Sequence, residues 1–118
     1  MNPAETGMIV VFVTAPSQEH AEAVARKLVE ERLAACVNIV APIRSIYTWE
    51  GKTVDDQEIL LLVKTRAELF TDRLVPAIRS IHPYQVPEII ALPILAGSPD
   101  YLNWIQSVTL PAGDDHDL

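Results

Sequence analysis

The chain has few of the residues on which many small functional domains depend, with one cysteine, four glycines and nine basic residues among 118. A single cysteine, Cys36, excludes an internal disulfide and a cysteine-rich zinc cage within one chain. So few glycines leave no glycine-rich phosphate loop. The net charge of −7 would repel phosphate backbones, so nucleic acid is not an expected partner.

Long hydrophobic runs are also missing. The longest, Met8–Val13, is far shorter than the roughly 18 residues that a membrane span requires. Residues 1–7 have neither the basic start nor the apolar segment of a signal peptide, so we expect a cytoplasmic protein with no membrane contact. Apolar residues make up 49% of the chain, which predicts one packed domain over residues 8–110. Residues 1–7 and the acidic tail, 111–118, are expected to be disordered.

The first half of the chain predicts a strand, a helix and a long hairpin. Met8–Thr14 is rich in β-branched residues, and Ser17 is placed to cap a helix from Gln18 to about Leu33. Two long arms, Cys36–Trp49 and Lys52–Thr65, then flank a Glu50-Gly51 turn. Because proline cannot donate to a sheet ladder, we expect an edge or a bulge near Pro42.

The second half predicts helix, strand and helix. Thr65 and Glu68 have the spacing of a capping box, which predicts a helix to about Ser80 with a kink or break at Pro76. A strand over Glu88–Leu95 follows, and Ser98-Pro99 begins a last helix. The order predicts an α+β, ferredoxin-like (βαββαβ) antiparallel sheet with helices on one face, a long protruding hairpin and an extra C-terminal helix.

The hairpin is too long for such a core. Arms of 14 residues reach about 45 Å at roughly 3.3 Å per residue. The projecting part would expose Ile46, Tyr47, Trp49 and Val54, which favours pairing with neighbouring subunits. The alternative is a hairpin folded over its own core.

The candidate chemistry is sparse. Of the possible metal ligands, Cys36 lies in an apolar stretch typical of a buried core, and His20 and His116 are expected to be solvated. His82, stiffened by Pro83, is either a ligand or part of a plain helix-to-strand crossing. Glu88, opening a buried strand, would need a partner such as Lys64 or a tyrosine hydroxyl.

Nucleophilic catalysis has little support. Cys36 and His82 could form a nucleophile and base pair, but no third orienting residue or oxyanion-hole sequence accompanies them. We therefore expect a protein that is not an enzyme.

Six motifs in order resemble those of the CutA divalent-cation tolerance proteins over about residues 8–110. They are FVTAPS, LAACVNI, SIYTWEGK, EILLLVKT, IHPYQVPEII and DYLNWI. The resemblance implies a ferredoxin-like domain in a tight homotrimer, an architecture similar to the PII signalling proteins, and no catalytic reaction. It also implies a response to copper or other divalent ions. The copper site proposed for some members is incomplete here, because Val13 and Ile81 replace a cysteine and a histidine, leaving His82 as the candidate metal ligand.

Two functions follow as hypotheses. The first is a cytoplasmic homotrimer in divalent-metal tolerance, with weak binding of copper or another divalent cation at His82 near a carboxylate. The second is a PII-like module with an unidentified signalling partner, whose clefts between subunits hold a small anionic or amphiphilic ligand. The expected cleft residues are Tyr47, Trp49, Glu58, Lys64, His82, Tyr84 and Glu88.

Overall fold

The structure is a computed structural model and describes residues 6–111. The strands are β1 (Met8–Ala15), β2 (Cys36–Trp49), β3 (Lys52–Arg66) and β4 (Ile89–Pro93), and the α-helices are α1 (Gln18–Glu30), α2 (Val75–Arg79) and α3 (Pro99–Val108). The disorder expected of residues 1–7 and 111–118 falls almost wholly outside the described residues, as does His116. No helix within the described part is long and apolar enough to cross a membrane.

The four strands form one antiparallel sheet in the order β2-β3-β1-β4. The two central strands are therefore β3 and β1, and the first six elements follow the βαββαβ sequence of a ferredoxin-like domain. The predicted fold class is confirmed, including the additional C-terminal helix.

One face of the sheet, here the covered face, packs against α1 and α2. Strand side chains alternate between faces, and those at Val11, Val13, Leu61 and Val63 all point to this side and are fully buried. The apolar residues of α1 that meet them, Ala21, Val24 and Leu28, follow the helical period seen in the sequence. This is the main hydrophobic core.

The opposite face, here the open face, is covered only at one end. There Ile105 of α3 packs with Met8 and Ala35 in a second, smaller cluster. The remaining side chains on this face are mostly apolar and partly or largely exposed: Val10, Phe12, Val40, Leu60, Leu62, Ile90 and Leu92.

The hairpin of β2 and β3 has the predicted turn and the predicted irregularity. Glu50 and Gly51 both have positive φ, 51° and 77°, as the tight turns that match strand twist require. The pairing of β2 with β3 shifts between Val40 and Ile43, around a cis Ala41-Pro42 bond, and β2 is an edge strand. The longest dimension of the described chain is 43 Å.

The connection after β3 differs from the expected single helix. Thr65 does not cap a helix, because β3 continues to Arg66 and the Thr65 hydroxyl donates to the backbone oxygen of Leu33 at 2.6 Å. A 3₁₀ turn (Ala67–Leu69) and a π-helical turn (Phe70–Leu74) come before α2. The capping-box prediction was therefore wrong.

Proline 76 lies in the first turn of α2, where a missing N–H costs no helical bond. The break expected near it is present as the preceding π-helical turn, in which the Val75 N–H donates to the Phe70 oxygen. The Ser17 cap is confirmed, since its hydroxyl accepts from the backbone N–H of His20, although α1 ends at Glu30 rather than near Leu33.

Candidate functional site

A groove of about 860 Å³ lies where the hairpin leaves the sheet. The outer half of the hairpin forms one wall, the segment 83–88 before β4 forms the other, and Thr14 and Glu58 belong to its lining. Five of the seven predicted cleft residues line it: Tyr47, Trp49, Glu58, Tyr84 and Glu88.

Strand alternation explains why the hairpin residues face the same space. Ile43 pairs with Glu58, so Tyr47 and Trp49, four and six residues further along β2, point to the same side as Glu58. Ser45 and Asp56 share this side for the same reason. Sequence reasoning did not select these two, although the period-two pattern running back from Trp49 reaches Ser45, and the pairing across the turn then gives Asp56.

The two walls meet through Glu58 and Tyr84. The Tyr84 hydroxyl donates to Glu58 Oε2 at 3.1 Å, and Glu58 is only 6% exposed. Burial, followed by this hydrogen bond to a carboxylate, raises the pKa of Tyr84 from 10.0 to about 12. The phenol therefore remains a hydrogen-bond donor to Glu58 at physiological pH.

A second tyrosine on the hairpin is arranged in the same way. The Tyr47 hydroxyl donates to Asp56 Oδ2 at 2.8 Å, and this hydrogen bond is the main cause of a raised Tyr47 pKa. Both tyrosine hydroxyls thus donate hydrogen bonds to carboxylates, and their oxygen lone pairs remain available as acceptors for other partners.

His82 lies behind the groove wall rather than in the groove. Its Nε2 is 2.7 Å from the Thr14 backbone oxygen, and its Nδ1 accepts the backbone N–H of Tyr84 at 3.1 Å. These partners require a neutral ring protonated on Nε2. The 8% exposed ring also lies against the Tyr84 ring, with 5.0 Å between centroids, so His82 fixes the segment that carries Tyr84.

The remaining predicted cleft residue, Lys64, lies elsewhere. It is six residues from Glu58 along β3, a separation of about 20 Å, and its ammonium donates to Asn38. Cys36 pairs with Lys64 in the sheet. Thr14, which binds His82, and Val40 both pair with Leu60, and Val40 is four residues, or about 13 Å, along β2 from Cys36. The chain therefore does not bring Cys36 and His82 together as a catalytic pair.

The prediction that Glu88 opens a buried strand and needs a partner was also wrong. Glu88 precedes β4 and is exposed at the groove, so it needs no buried partner. The buried carboxylate that receives a tyrosine hydroxyl is Glu58 instead.

The residues present do not fit a metal ion within one chain. Among residues 6–111, no group of three His, Cys, Asp or Glu side chains converges. Both nitrogens of His82 already have partners, and Val13 is fully buried in the covered face. His20 is exposed, with Nδ1 2.9 Å from the Ser17 hydroxyl that caps α1.

The fold and groove together define a ferredoxin-like domain with a projecting hairpin and an acidic, aromatic groove at its base. The chain belongs to the CutA1 divalent ion tolerance protein family, whose pattern matches residues 9–108.

Named relatives agree with this assignment. The divalent-cation tolerance protein CutA of Thermus thermophilus is 54% identical over 85% of this chain and 96% of its own length. Human Protein CutA is 47% identical over 87% of this chain, which spans 57% of the human protein. Solved structures of CutA1 from Thermus thermophilus and Oryza sativa superpose with TM-scores of 0.83 and 0.85, at 53% and 47% identity, over 86% and 89% of this chain and 98% and 95% of theirs.

Proposed function

We propose that this protein contributes to divalent-cation tolerance as a cytoplasmic homotrimer and does not catalyse a reaction. The family and the names of its relatives support the tolerance role. The observation that carries the assembly is the open face of the sheet, which residues 6–111 leave largely apolar and exposed.

The open face resembles a core that lacks its second half. Ile90 and Leu92 are 55% and 53% exposed on β4, whereas Val11 and Val13 on the covered face of the adjacent β1 are fully buried. Within the described part of the chain, the outer strands β2 and β4 each have one edge with no neighbouring strand. Exposed apolar patches beside free edges are typical of association surfaces, and three copies facing one another would bury them.

The groove supports binding rather than nucleophilic chemistry. Its tyrosine hydroxyls are hydrogen-bonded to carboxylates, and Cys36 and His82 are on different parts of the sheet. Since both ring nitrogens of His82 already have hydrogen-bond partners, we propose that His82 is not a ligand for copper or another divalent cation. Titration of copper into the wild type and His82→Ala should then give equal affinities, and a marked loss in the variant would restore His82 as a ligand.

Growth at raised copper concentration tests the tolerance role. In a bacterial host whose own family member has been deleted, the wild type should restore growth. Leu92→Asp, which places a charge on the open face, should not restore it, whereas Glu30→Asp on the exposed side of α1 should. Equal growth with and without the wild-type chain would contradict the proposal.

A second candidate function is a PII-like signalling module that binds a small ligand in clefts between subunits. The observation that favours it is the position of the groove, at the base of the hairpin and on the same side of the sheet as the open face. A neighbouring copy on that face would then border the groove.

A further inference from the structure

The groove is acidic. Among residues 6–111, Glu58 and Glu88 line it and no lysine or arginine does, and Asp56 accepts a hydrogen bond from the lining residue Tyr47. Two hairpin cations are not among the lining residues: Arg44 donates twice to Asp55, at 2.9 and 2.7 Å, and Lys52 is the cross-strand neighbour of the lining residue Trp49. An anionic ligand, which the sequence suggested, is therefore disfavoured here.

Glu58 is the critical group because it is buried without a cationic partner. Glu58 is only 6% exposed. Within residues 6–111 its side chain has one hydrogen bond, which Oε2 accepts from the Tyr84 hydroxyl. Glutamate is rarely this buried unless it is paired, since loss of hydration disfavours an isolated carboxylate. A cation bound in the groove would supply the missing partner.

The rest of the lining suits an organic cation. Trp49, Tyr47 and Tyr84 present aromatic side chains, which attract cations through their ring faces and also pack against alkyl groups. The oxygens of Glu58, Tyr47 and Tyr84 act as acceptors, because both phenol hydroxyls already donate hydrogen bonds to carboxylates.

We propose that this groove binds a small aliphatic ammonium ion, with the charged group at Glu58 and the alkyl part against the aromatic side chains. The volume of about 860 Å³ lies within the range of small-ligand sites, roughly 300–1,000 Å³. This inference deepens the second candidate function and names the class of its ligand. Ligand titration and light scattering have different readouts, so binding and assembly can be tested separately.

Titration with matched probes tests the proposal. n-Butylammonium, n-butanol and n-butanoate share one alkyl chain and differ in charge. With the full-length protein, we expect n-butylammonium to shift the indole N–H signal of Trp49 and not that of Trp104, with the two signals assigned from Trp104→Phe. Butanol should bind more weakly, and butanoate should cause no shift.

The Glu58→Gln variant tests the role of the carboxylate while keeping an acceptor for Tyr84. It should weaken n-butylammonium binding about tenfold or more, because charge-assisted hydrogen bonds are stronger than neutral ones, and should leave butanol unchanged. Glu30→Gln removes the same charge from the exposed side of α1 and should bind as the wild type does. Light scattering on each variant reports assembly independently.

Three results would overturn the inference. Butanoate binding as tightly as butylammonium would remove the charge selectivity, and an unchanged Glu58→Gln affinity would remove the proposed partner. Failure of the wild type to bind butylammonium would mean that the partner of the Glu58 carboxylate is a neighbouring copy, or that this carboxylate has no cationic partner. If light scattering still gave a trimer, the proposed assembly would survive each of these results.

Discussion

The two faces of the sheet are made of similar residues in very different surroundings. On the covered face, Leu61 and Val63 are fully buried under α1 and α2, whereas on the open face Leu92 and Ile90 remain more than half exposed. Within residues 6–111, the helices α1 and α2 thus bury only the covered face. The proposed homotrimer would bury the open face, and the following substitutions test that proposal.

The largest effect is expected from Leu61→Ala on the covered face. Removing most of a fully buried leucine leaves a cavity and should lower the free energy of unfolding by about 2–5 kcal/mol. Leu92→Ala is the matched change on the open face. In a chain that remained monomeric, it should stay within about 0.5 kcal/mol of the wild type.

Chemical denaturation at two protein concentrations measures both variants. If copies cover the open face, the cost of Leu92→Ala should approach that of Leu61→Ala, and the midpoints should rise with protein concentration. A small, concentration-independent effect of Leu92→Ala would contradict the assembly.

A smaller effect is expected from Thr65→Val at the end of β3. The Thr65 hydroxyl is fully buried and donates to the Leu33 oxygen, so its removal should cost about 1–3 kcal/mol by leaving that acceptor without its partner. Urea denaturation measures the loss, and the equally β-branched Thr53→Val, exposed near the hairpin tip, is the control. Equal midpoints for the two variants would show that this bond is unimportant.

Thr65 also shows where sequence reasoning stops. Local patterns predicted the strands, the α1 cap at Ser17 and the turn at Glu50-Gly51, because each depends on residues adjacent in the chain. Thr65 fitted a capping box equally well. Its real partner, Leu33, is 32 residues away and belongs to a different segment.

The candidate site has the same division between local and distant information. Period-two alternation brings Tyr47 and Trp49 to one side of the hairpin and could be predicted. The Glu58–Tyr84 contact and the bond between His82 and the Thr14 oxygen join residues that are 26 and 68 positions apart, so no local pattern indicates them. Lys64 was misplaced because strand ends were assigned to the cleft without a register.

A weaker effect is expected from Tyr84→Phe in the groove. It removes the hydroxyl that bonds Glu58 and should cost roughly 1 kcal/mol of the free energy of unfolding. Tyr101→Phe, which removes a hydroxyl that interacts with Cys36 outside the groove, is the comparison. A loss no larger for Tyr84→Phe than for Tyr101→Phe would argue that the two groove walls are not joined through this bond.

The smallest effect concerns pH. Because the folded-state pKa of Tyr84 is about 12 and its ordinary value is 10.0, its contribution to stability is fully present below pH 10 and is lost as pH rises to about 12. A pH titration followed by tyrosinate absorbance, on the wild type and Glu58→Gln, measures the pKa of Tyr84. The late-titrating tyrosine should titrate at lower pH in the variant, and an unchanged titration would show that Glu58 does not raise the Tyr84 pKa.

The central claim is that copies of this chain cover the open face, and light scattering of the wild type at low micromolar concentration tests it most directly. The account predicts a single species of three times the chain mass, and a lower mass for Leu92→Asp under the same conditions. A monodisperse wild-type monomer would contradict it.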